Sequence, residues 1–478
     1  MSPVCPAAAA PSLPPPDRLN ALIATLGDGL LERDAEVRLA LLAALAGEHV
    51  LLLGPPGTAK SELARRLHRA FEGATYFERL LTRFSTPEEL FGPLSLKALE
   101  NDRYERLTAG FLPEAGIAFL DEVFKANSAI LNTLLTLLNE REFDNGSGRT
   151  TVPLVSVVGA SNEVPGDETL QAFFDRFLVR LPIAPVGDEA FEALLRLADR
   201  PAPVPAEPLR PAEREAVAAA AAQVGLGDDA VEALRRLRAW LAAQTPPQAL
   251  SDRRWRQLVG LMRVAAATEG RAQVDALDLW LAPQAAAPRP ELAPALQDWF
   301  AREIAQAVPQ DAPWLTRAVE AFERQLELEQ RAEADGESDS AGKMALARAI
   351  GGGRDDDGAA GSMRLLARQL EASSRRRWSA VHVAARVAQV DETIAAARPH
   401  REAAVAAAEA LAARLEGRLW MAPSRVAALL AAHAHTALVL DALLARLGAV
   451  RQGFEALPLE EAPGAEPPAT PAPVALEA

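Results

Sequence analysis

The stretch Gly54-Pro55-Pro56-Gly57-Thr58-Ala59-Lys60-Ser61 constrains this chain more than any other. It follows Val50-Leu51-Leu52-Leu53 and opens into Glu62-Leu63-Ala64-Arg65-Arg66-Leu67. The first run reads as a buried strand and the second as a helix. Strand, Gly-rich turn, Lys-Ser and helix, in that order, make a phosphate-binding P-loop. A triphosphate needs inward-pointing backbone N–H groups, a helix N-terminus and a cation near its β- and γ-phosphates. Gly54 and Gly57 permit the tight turn, Lys60 supplies the cation and the Ser61 hydroxyl holds Mg²⁺. Ala59 stands where the usual pattern has Gly, and Ala fits there if its backbone is helical. The competing reading is a βα turn without a ligand. Strand, spacing, Lys and Ser together favour the P-loop.

A second constellation lies at Ile117-Ala118-Phe119-Leu120-Asp121-Glu122. An apolar run ending in two carboxylates places them at the C-terminal end of a buried strand, where open α/β sheets bind ligands. Asp121 would orient Mg²⁺ and its water, and Glu122 would polarise the attacking water. The bland alternative is a strand followed by an acidic helix cap. A third strand, Val152 to Val158, ends in Gly159-Ala160-Ser161-Asn162. Asn162 is the candidate to touch the γ-phosphate or the water, against a simple Asx turn. Further on, Asp175-Arg176-Phe177 precedes the last core strand. Arg176 either points at a neighbouring subunit's nucleotide or pairs locally with Asp175. Ser251-Asp252-Arg253-Arg254-Trp255 begins a helix, and an Arg there would fold back onto the phosphates.

The chain divides by composition. Residues 1–16 form a Pro/Ala tail expected to be disordered. Residues 17–199 carry the α/β pattern, with 93–110 inserted as a short hairpin tipped by Asn101-Asp102. A Pro-rich linker opens 200–290, which reads as four helices. Residues 291–330 are a helical connector. The acidic, Gly-rich segment 331–362 has too little apolar surface to order itself. Residues 363–457 are helical, with an interruption expected at Pro399 and a final helix from Ser424 to Phe454, and 458–478 are a second tail.

Charge and cysteine usage exclude several classes. The chain has 478 residues, with 50 Lys and Arg against 65 Asp and Glu. A net charge of -15 argues against nucleic acid as the main partner, because phosphate contacts need clustered cations. The one cysteine, Cys5, permits no disulfide within the chain, which fits a reducing cytoplasm. No signal-peptide pattern opens the chain, and no transmembrane segment is expected. The six histidines are scattered, so no protein-held metal is expected beyond the Mg²⁺ that comes with nucleotide.

In order and spacing, GPPGTAKSELARRL, LTRFSTPEELFGPLS, RYERLTAGFLPEA, FLDEVFKANSAILNTLLTLLNERE and DRRW resemble the MoxR-type AAA+ ATPases, and within them the RavA group of regulatory ATPase variants. The resemblance covers about residues 17–290 strongly and the stretch around Leu419-Trp420-Met421-Ala422-Pro423 weakly. It implies an α/β fold: an AAA+ P-loop core with a parallel sheet, a helical lid domain, and a C-terminal helical hairpin or bundle. It implies ATP and Mg²⁺ as cofactors and a homo-oligomeric ring of six copies, in the family's manner. Lys60 and Ser61 match Walker A, Asp121 and Glu122 Walker B, and Asn162 sensor 1. Arg176 matches the arginine finger and Arg253 sensor 2, with Arg254 as the fallback. Members of the group can carry a β-rich domain that binds a lysine decarboxylase. The polar segment 331–362 stands in its place with no alternating strand pattern, so a decarboxylase partner is not expected. A von Willebrand factor A-domain protein is the expected partner.

Three functions fit these residues: a chaperone-like remodelling or cofactor-inserting motor, a nucleic-acid motor, and a nucleotide-bound scaffold that does not hydrolyse. The net charge weighs against the second. Glu122, Asn162 and Arg176 together weigh against the third.

Overall fold

The computed structural model describes residues 12–146, 148–165, 168–198, 203–306, 312–350 and 377–460. Residues 1–11 and 461–478 of the expected tails lie outside the described residues, as do residues 351–362 of the polar segment. The chain forms two compact units. The first comprises residues 1–307 and 415–429, and the second comprises 308–414 and 430–478.

The first unit is built on a five-stranded sheet with all neighbours parallel. Its strands are β1 (His49–Leu53), β2 (Tyr76–Leu80), β3 (Ile117–Asp121), β6 (Ser156–Ser161) and β7 (Phe177–Pro182), in the order β2-β3-β6-β1-β7. Between β3 and β6 a separate antiparallel pair forms from β4 (Glu142–Asp144) and β5 (Arg149–Thr151). The central strands are apolar on both faces because helices cover both sides. Val50, Leu51, Leu52, Val157 and Val158 are fully buried. The helices are α1 (Pro16–Gly27), α2 (Asp34–Leu45), α3 (Lys60–Arg69), α4 (Pro87–Phe91), α5 (Leu96–Leu99), α6 (Ser128–Glu140), α7 (Glu168–Phe174) and α8 (Asp188–Leu195). The insert over 93–110 is closed by a single bridge, Leu94 to Arg106, and contains the short α5 rather than two strands. Asn145 in the β4–β5 turn clasps the insert: its Oδ1 accepts from the Arg106 N–H at 2.7 Å and its Nδ2 donates to the Arg106 carbonyl at 3.2 Å.

Helices α9 (Pro211–Gln223), α10 (Asp228–Ala242) and α11 (Asp252–Thr268) follow, close to the periodicity read from sequence. A 3₁₀ turn over Ala276–Leu281 ends this lid. The segment after Leu415 returns to it. Arg418 donates to Asp278 at 2.6 Å and also bonds Asp275, while Arg271 bonds Asp278 and Glu269. The Trp420 indole N–H donates to Thr268 Oγ1 at 2.8 Å, and the Leu419 carbonyl accepts from Arg38 on α2. A buried ion network of this kind leaves an uncompensated charge if one member is lost, at a cost of about 3–5 kcal/mol. The stretch that resembles its family only weakly is therefore packed into the first unit.

The second unit joins three helices, Pro313–Ile350, Ala380–Leu415 and the later part of Pro423–Glu455. Val383, Val390, Ala397 and Ala404 recur every seventh residue and are buried against Leu440, Leu447 and Phe454. A seven-residue repeat keeps one seam facing its partners. Two expectations are corrected here. Helix Pro313–Ile350 runs through 331–350, where disorder was expected; six of those twenty residues are Ala, the strongest helix former. Pro399 sits inside a continuous helix, since one missing N–H removes one bond and the long packed seam outweighs it. Helix Pro423–Glu455 is long and apolar enough, by length and composition alone, to cross a membrane, a test that the core helix of a folded unit also passes. Its Leu440, Leu443, Leu447, Val450 and Phe454 are buried in the core of the second unit.

One buried ring makes the sheet sensitive to acid. His49 Nδ1 accepts from the Val157 N–H at 3.1 Å, and Nε2 lies 3.2 Å from the Leu138 carbonyl, which fixes the neutral Nε2–H tautomer. Burial, with Arg141 nearby, pushes its pKa down to about 3. Unfolded, the ring takes a proton below its ordinary value; folded, it does so only near the depressed one. The stability contributed by neutral His49 is complete above pH 6.5 and is lost as pH falls toward 3. Between pH 6.5 and 5 this amounts to about 2 kcal/mol. Chemical denaturation of wild type and His49→Gln at the two pH values should show a smaller acid loss in the variant.

Candidate functional site

The P-loop leaves β1 at Gly54, whose N–H donates to the Ser161 carbonyl at 3.0 Å. A Cβ on Gly54 would stand 2.0 Å from the Ile183 carbonyl oxygen, so only glycine lets the loop pass β7. Gly57 has φ +80°, in the left-handed region, with open space around it. Thr58 Oγ1 donates to the Pro55 carbonyl at 2.9 Å and braces the turn. Lys60 opens α3, and its Nζ donates to the Gly54 and Pro55 carbonyls at 2.8 and 2.7 Å. Partial burial lowers the Lys60 pKa, and the carboxylates of Asp121 and Glu122 pull it back up.

Ala59 corrects the reading of the loop. Its backbone is left-handed, φ 63° and ψ 24°, rather than right-handed helical. For an L-residue with a Cβ that conformation costs roughly 1–2 kcal/mol. The neighbouring turn holds it there, which is why the pattern usually has Gly at this position.

Asp121 and Glu122 end β3 at the same C-terminal edge of the sheet as the P-loop. Asp121 Oδ1 accepts from the Glu122 N–H at 3.0 Å. Glu122 is itself left-handed, with φ 52°, and both residues are half-buried. Backbone strain of this sort costs about 1–3 kcal/mol and clusters at functional sites. Lys125 Nζ lies 3.2 Å from Glu122 Oε2. Sequence reasoning passed over Lys125; its spacing of three residues after Glu122 was the available signal. Asn162 follows β6 at the same edge, exposed, next to the Ser161 carbonyl that anchors Gly54. The structure thus brings Lys60, Ser61, Asp121, Glu122 and Asn162 to one edge.

The arginines lie elsewhere. Arg176 directly precedes β7, whose Phe177 pairs with His49, so it stands at the N-terminal edge of the sheet. Arg176 does not pair with Asp175, as the local alternative had it. Asp175 instead contacts Arg180 at 3.1 Å and Arg254 at 3.6 Å. The Arg176 Nε is buried and has no hydrogen-bond partner among the described residues. Arg253 donates to Asn139 Oδ1, at the far end of α6, at 2.9 Å. Arg254 is buried and donates to the Leu178 and Ala285 carbonyls. One turn on, Gln257 bonds Glu48, the residue before β1. A strand of this length separates the two edges by roughly 16 Å. Arg253 and Arg254 therefore do not fold back onto the P-loop of their own chain. Helix α11 docks at the base of β1 and β7.

The residues at the P-loop edge fit ATP with Mg²⁺. The loop offers backbone N–H groups, a helix N-terminus, one ammonium and open space at Gly57. Ser61 and Asp121 offer two hard oxygen ligands, and a Mg²⁺ held so sparingly takes the rest of its shell from phosphate and water.

Comparison with known proteins agrees with this geometry. Residues 17–202 match the family described as the MoxR domain in the MoxR-vWA-beta-propeller ternary systems, and 229–300 match an AAA lid domain. An uncharacterised Methanocaldococcus jannaschii protein, MJ0812, is 42% identical over 261 residues, which are 53% of this chain and 67% of the relative. A second from the same organism, MJ0079, is 51% identical over 38% of this chain and 47% of its own length. Protein MoxR of Paracoccus denitrificans is 31% identical over 179 residues, 36% of this chain and 52% of its own. The chain thus spans about half the length of these last two relatives. The chain belongs to the MoxR-type AAA+ ATPases.

Proposed function

We propose that this protein is an ATP-hydrolysing ring motor, active only as an assembly, that remodels partner proteins or inserts a cofactor into them. The observation that supports it most is the division of the site between two sheet edges. Lys60, Ser61, Asp121, Glu122 and Asn162 gather at one edge, and Arg176 and Arg253 stand at the other. One chain gathers the nucleotide residues at one edge, but its own Arg176 and Arg253 stand too far away to supply the guanidinium for the γ-phosphate. A neighbouring copy supplies it, and a closed ring of six gives every P-loop such a neighbour.

In this reading the loop N–H groups and Lys60 hold the phosphates of ATP, and Ser61 and Asp121 hold Mg²⁺. The bound ion supplies charge neutralisation on the phosphates. Glu122 orients a water and takes its proton, and Asn162 positions that water. Arg176 of the neighbouring copy meets the charge that develops on the transferred group. Arg253 acts on the same neighbour's nucleotide rather than its own.

The partner reading is a von Willebrand factor A-domain protein, supported by the description of the matching family. Placement in the RavA group rests on the five motif stretches alone, and the reducing cytoplasm on the single cysteine. Steady-state ATP turnover, with and without DNA, tests the proposal. Turnover that is independent of DNA and abolished by Lys60→Ala is expected. Absence of turnover in the assembled wild type would leave a nucleotide-bound scaffold, and turnover that requires DNA would favour a nucleic-acid motor.

A further inference from the structure

Two aromatic contacts join the halves of the site that the sheet keeps apart. Glu122 caps the 3₁₀ turn Val123–Lys125, and the Lys125 N–H donates to the Glu122 carbonyl at 2.8 Å. The three side chains of this turn go to different places. Val123 is buried in the core, Lys125 pairs with Glu122, and Phe124 packs on the end of α7. The Phe124 ring lies 6.2 Å from that of Phe173, edge to face at 86°, and 6.0 Å from that of Phe174. Rings at these separations attract one another beyond the area they bury.

Those two rings form the seat of Arg176. The Arg176 N–H donates to the Phe173 carbonyl at 3.0 Å. Phe173 and Phe174 are fully buried, and Phe173 packs edge to face on Phe177, the first residue of β7, at 5.5 Å. The buried Arg180 guanidinium stands 3.7 Å over the Phe174 ring. It also donates to the Phe174 and Phe177 carbonyls and to Asp175. The backbone on either side of Arg176 is thus held as one piece. Half-buried Phe124 brings to that piece a contact from the turn that carries Glu122. Close-packed side chains transmit a shift instead of absorbing it. The Phe124 ring therefore sets where the Arg176 backbone stands relative to the Glu122 turn.

We infer that Phe124 is a positioning residue for Arg176: it fixes the guanidinium's place by tying the end of α7 to the turn that begins at Glu122. The catalytic carboxylate of one site and the arginine that the same copy lends to the next are then placed by one side chain. This rests on the proposed sharing of the nucleotide site between copies.

Mixed rings test it. Arg176→Ala subunits keep their P-loop and Glu122, so their turnover reports the arginine that other subunits supply. Lys60→Ala subunits supply that arginine while their own site is silent, and they should restore part of the turnover. The double variant Lys60→Ala/Phe124→Ala should restore about 10²-fold less, the scale of a catalytic group misplaced by an ångström. The loss should fall on kcat and leave the KM for ATP unchanged, because the P-loops in use are intact. Lys60→Ala/Phe124→Tyr keeps the ring and should restore as much as Lys60→Ala alone. Native mass spectrometry counts the mixed rings, so turnover is compared per ring. A merely structural Phe124 would lower the number of rings and not the kcat of each. If the Phe124→Ala donor does not enter rings, Phe124→Leu, which stays apolar but loses the ring edge, carries the same expectation. A double variant that restores turnover as fully as Lys60→Ala overturns the inference. So does a loss confined to KM, or a Phe124→Tyr donor no better than Phe124→Ala. Lys60→Ala donors that restore nothing in proven mixed rings overturn the shared site, and this inference with it; that control tells the two failures apart.

Discussion

Glu122→Gln should bind ATP as tightly as wild type and hydrolyse it about 10²–10⁴-fold more slowly. Glutamine keeps the length and shape of the side chain but cannot take a proton from water. The local geometry makes the substitution clean. The left-handed backbone at Glu122 is set by the end of β3 and by the 3₁₀ turn Val123–Lys125, not by its carboxylate. The Lys125 contact is with a half-exposed partner, and pairs of that kind contribute about 0–1 kcal/mol, so its loss should not unfold the turn. Equilibrium titration with a fluorescent ATP analogue, followed by single-turnover hydrolysis, separates binding from chemistry. Turnover within a few-fold of wild type would remove Glu122 from the catalytic role.

Local pattern made the core legible. Val50–Leu53 followed by Lys60-Ser61, and Ile117–Leu120 followed by Asp121-Glu122, each place their functional residues by adjacency along the chain. A parallel sheet then carries both strand ends to one edge without further information. What stayed hidden depends on contacts between distant residues. Nothing in Asp252-Arg253-Arg254 tells which end of the sheet the helix meets. The answer lies in Gln257 reaching Glu48 and Arg254 reaching the Leu178 carbonyl, both more than 70 residues away. Arg418 and Trp420 are the same case, since their partners Asp278 and Thr268 lie 140 and 152 residues earlier. Ala59 failed for another reason: φ is set by the turn's closure, and a residue's identity only tells what that conformation costs.

Arg176→Ala should likewise bind ATP nearly normally and lose turnover by roughly 10³–10⁵-fold, the contribution of a guanidinium that meets developing phosphoryl charge. The side chain is well placed to be spared by folding. Its neighbour Asp175 is already engaged by Arg180 and Arg254, and its own Nε has no hydrogen-bond partner among the described residues. Removing it therefore costs the fold little and the neighbouring site much. Mixing supplies the discriminating measurement. Lys60→Ala subunits cannot hold nucleotide well but carry an intact Arg176, and Arg176→Ala subunits carry an intact P-loop. Excess Lys60→Ala added to Arg176→Ala should restore part of the turnover at fixed total protein, with native mass spectrometry confirming mixed rings. If mixed rings form and no ratio restores activity, Arg176 does not act across the interface, and a cation already at the P-loop edge, such as Lys125 beside Glu122, becomes the candidate in its place.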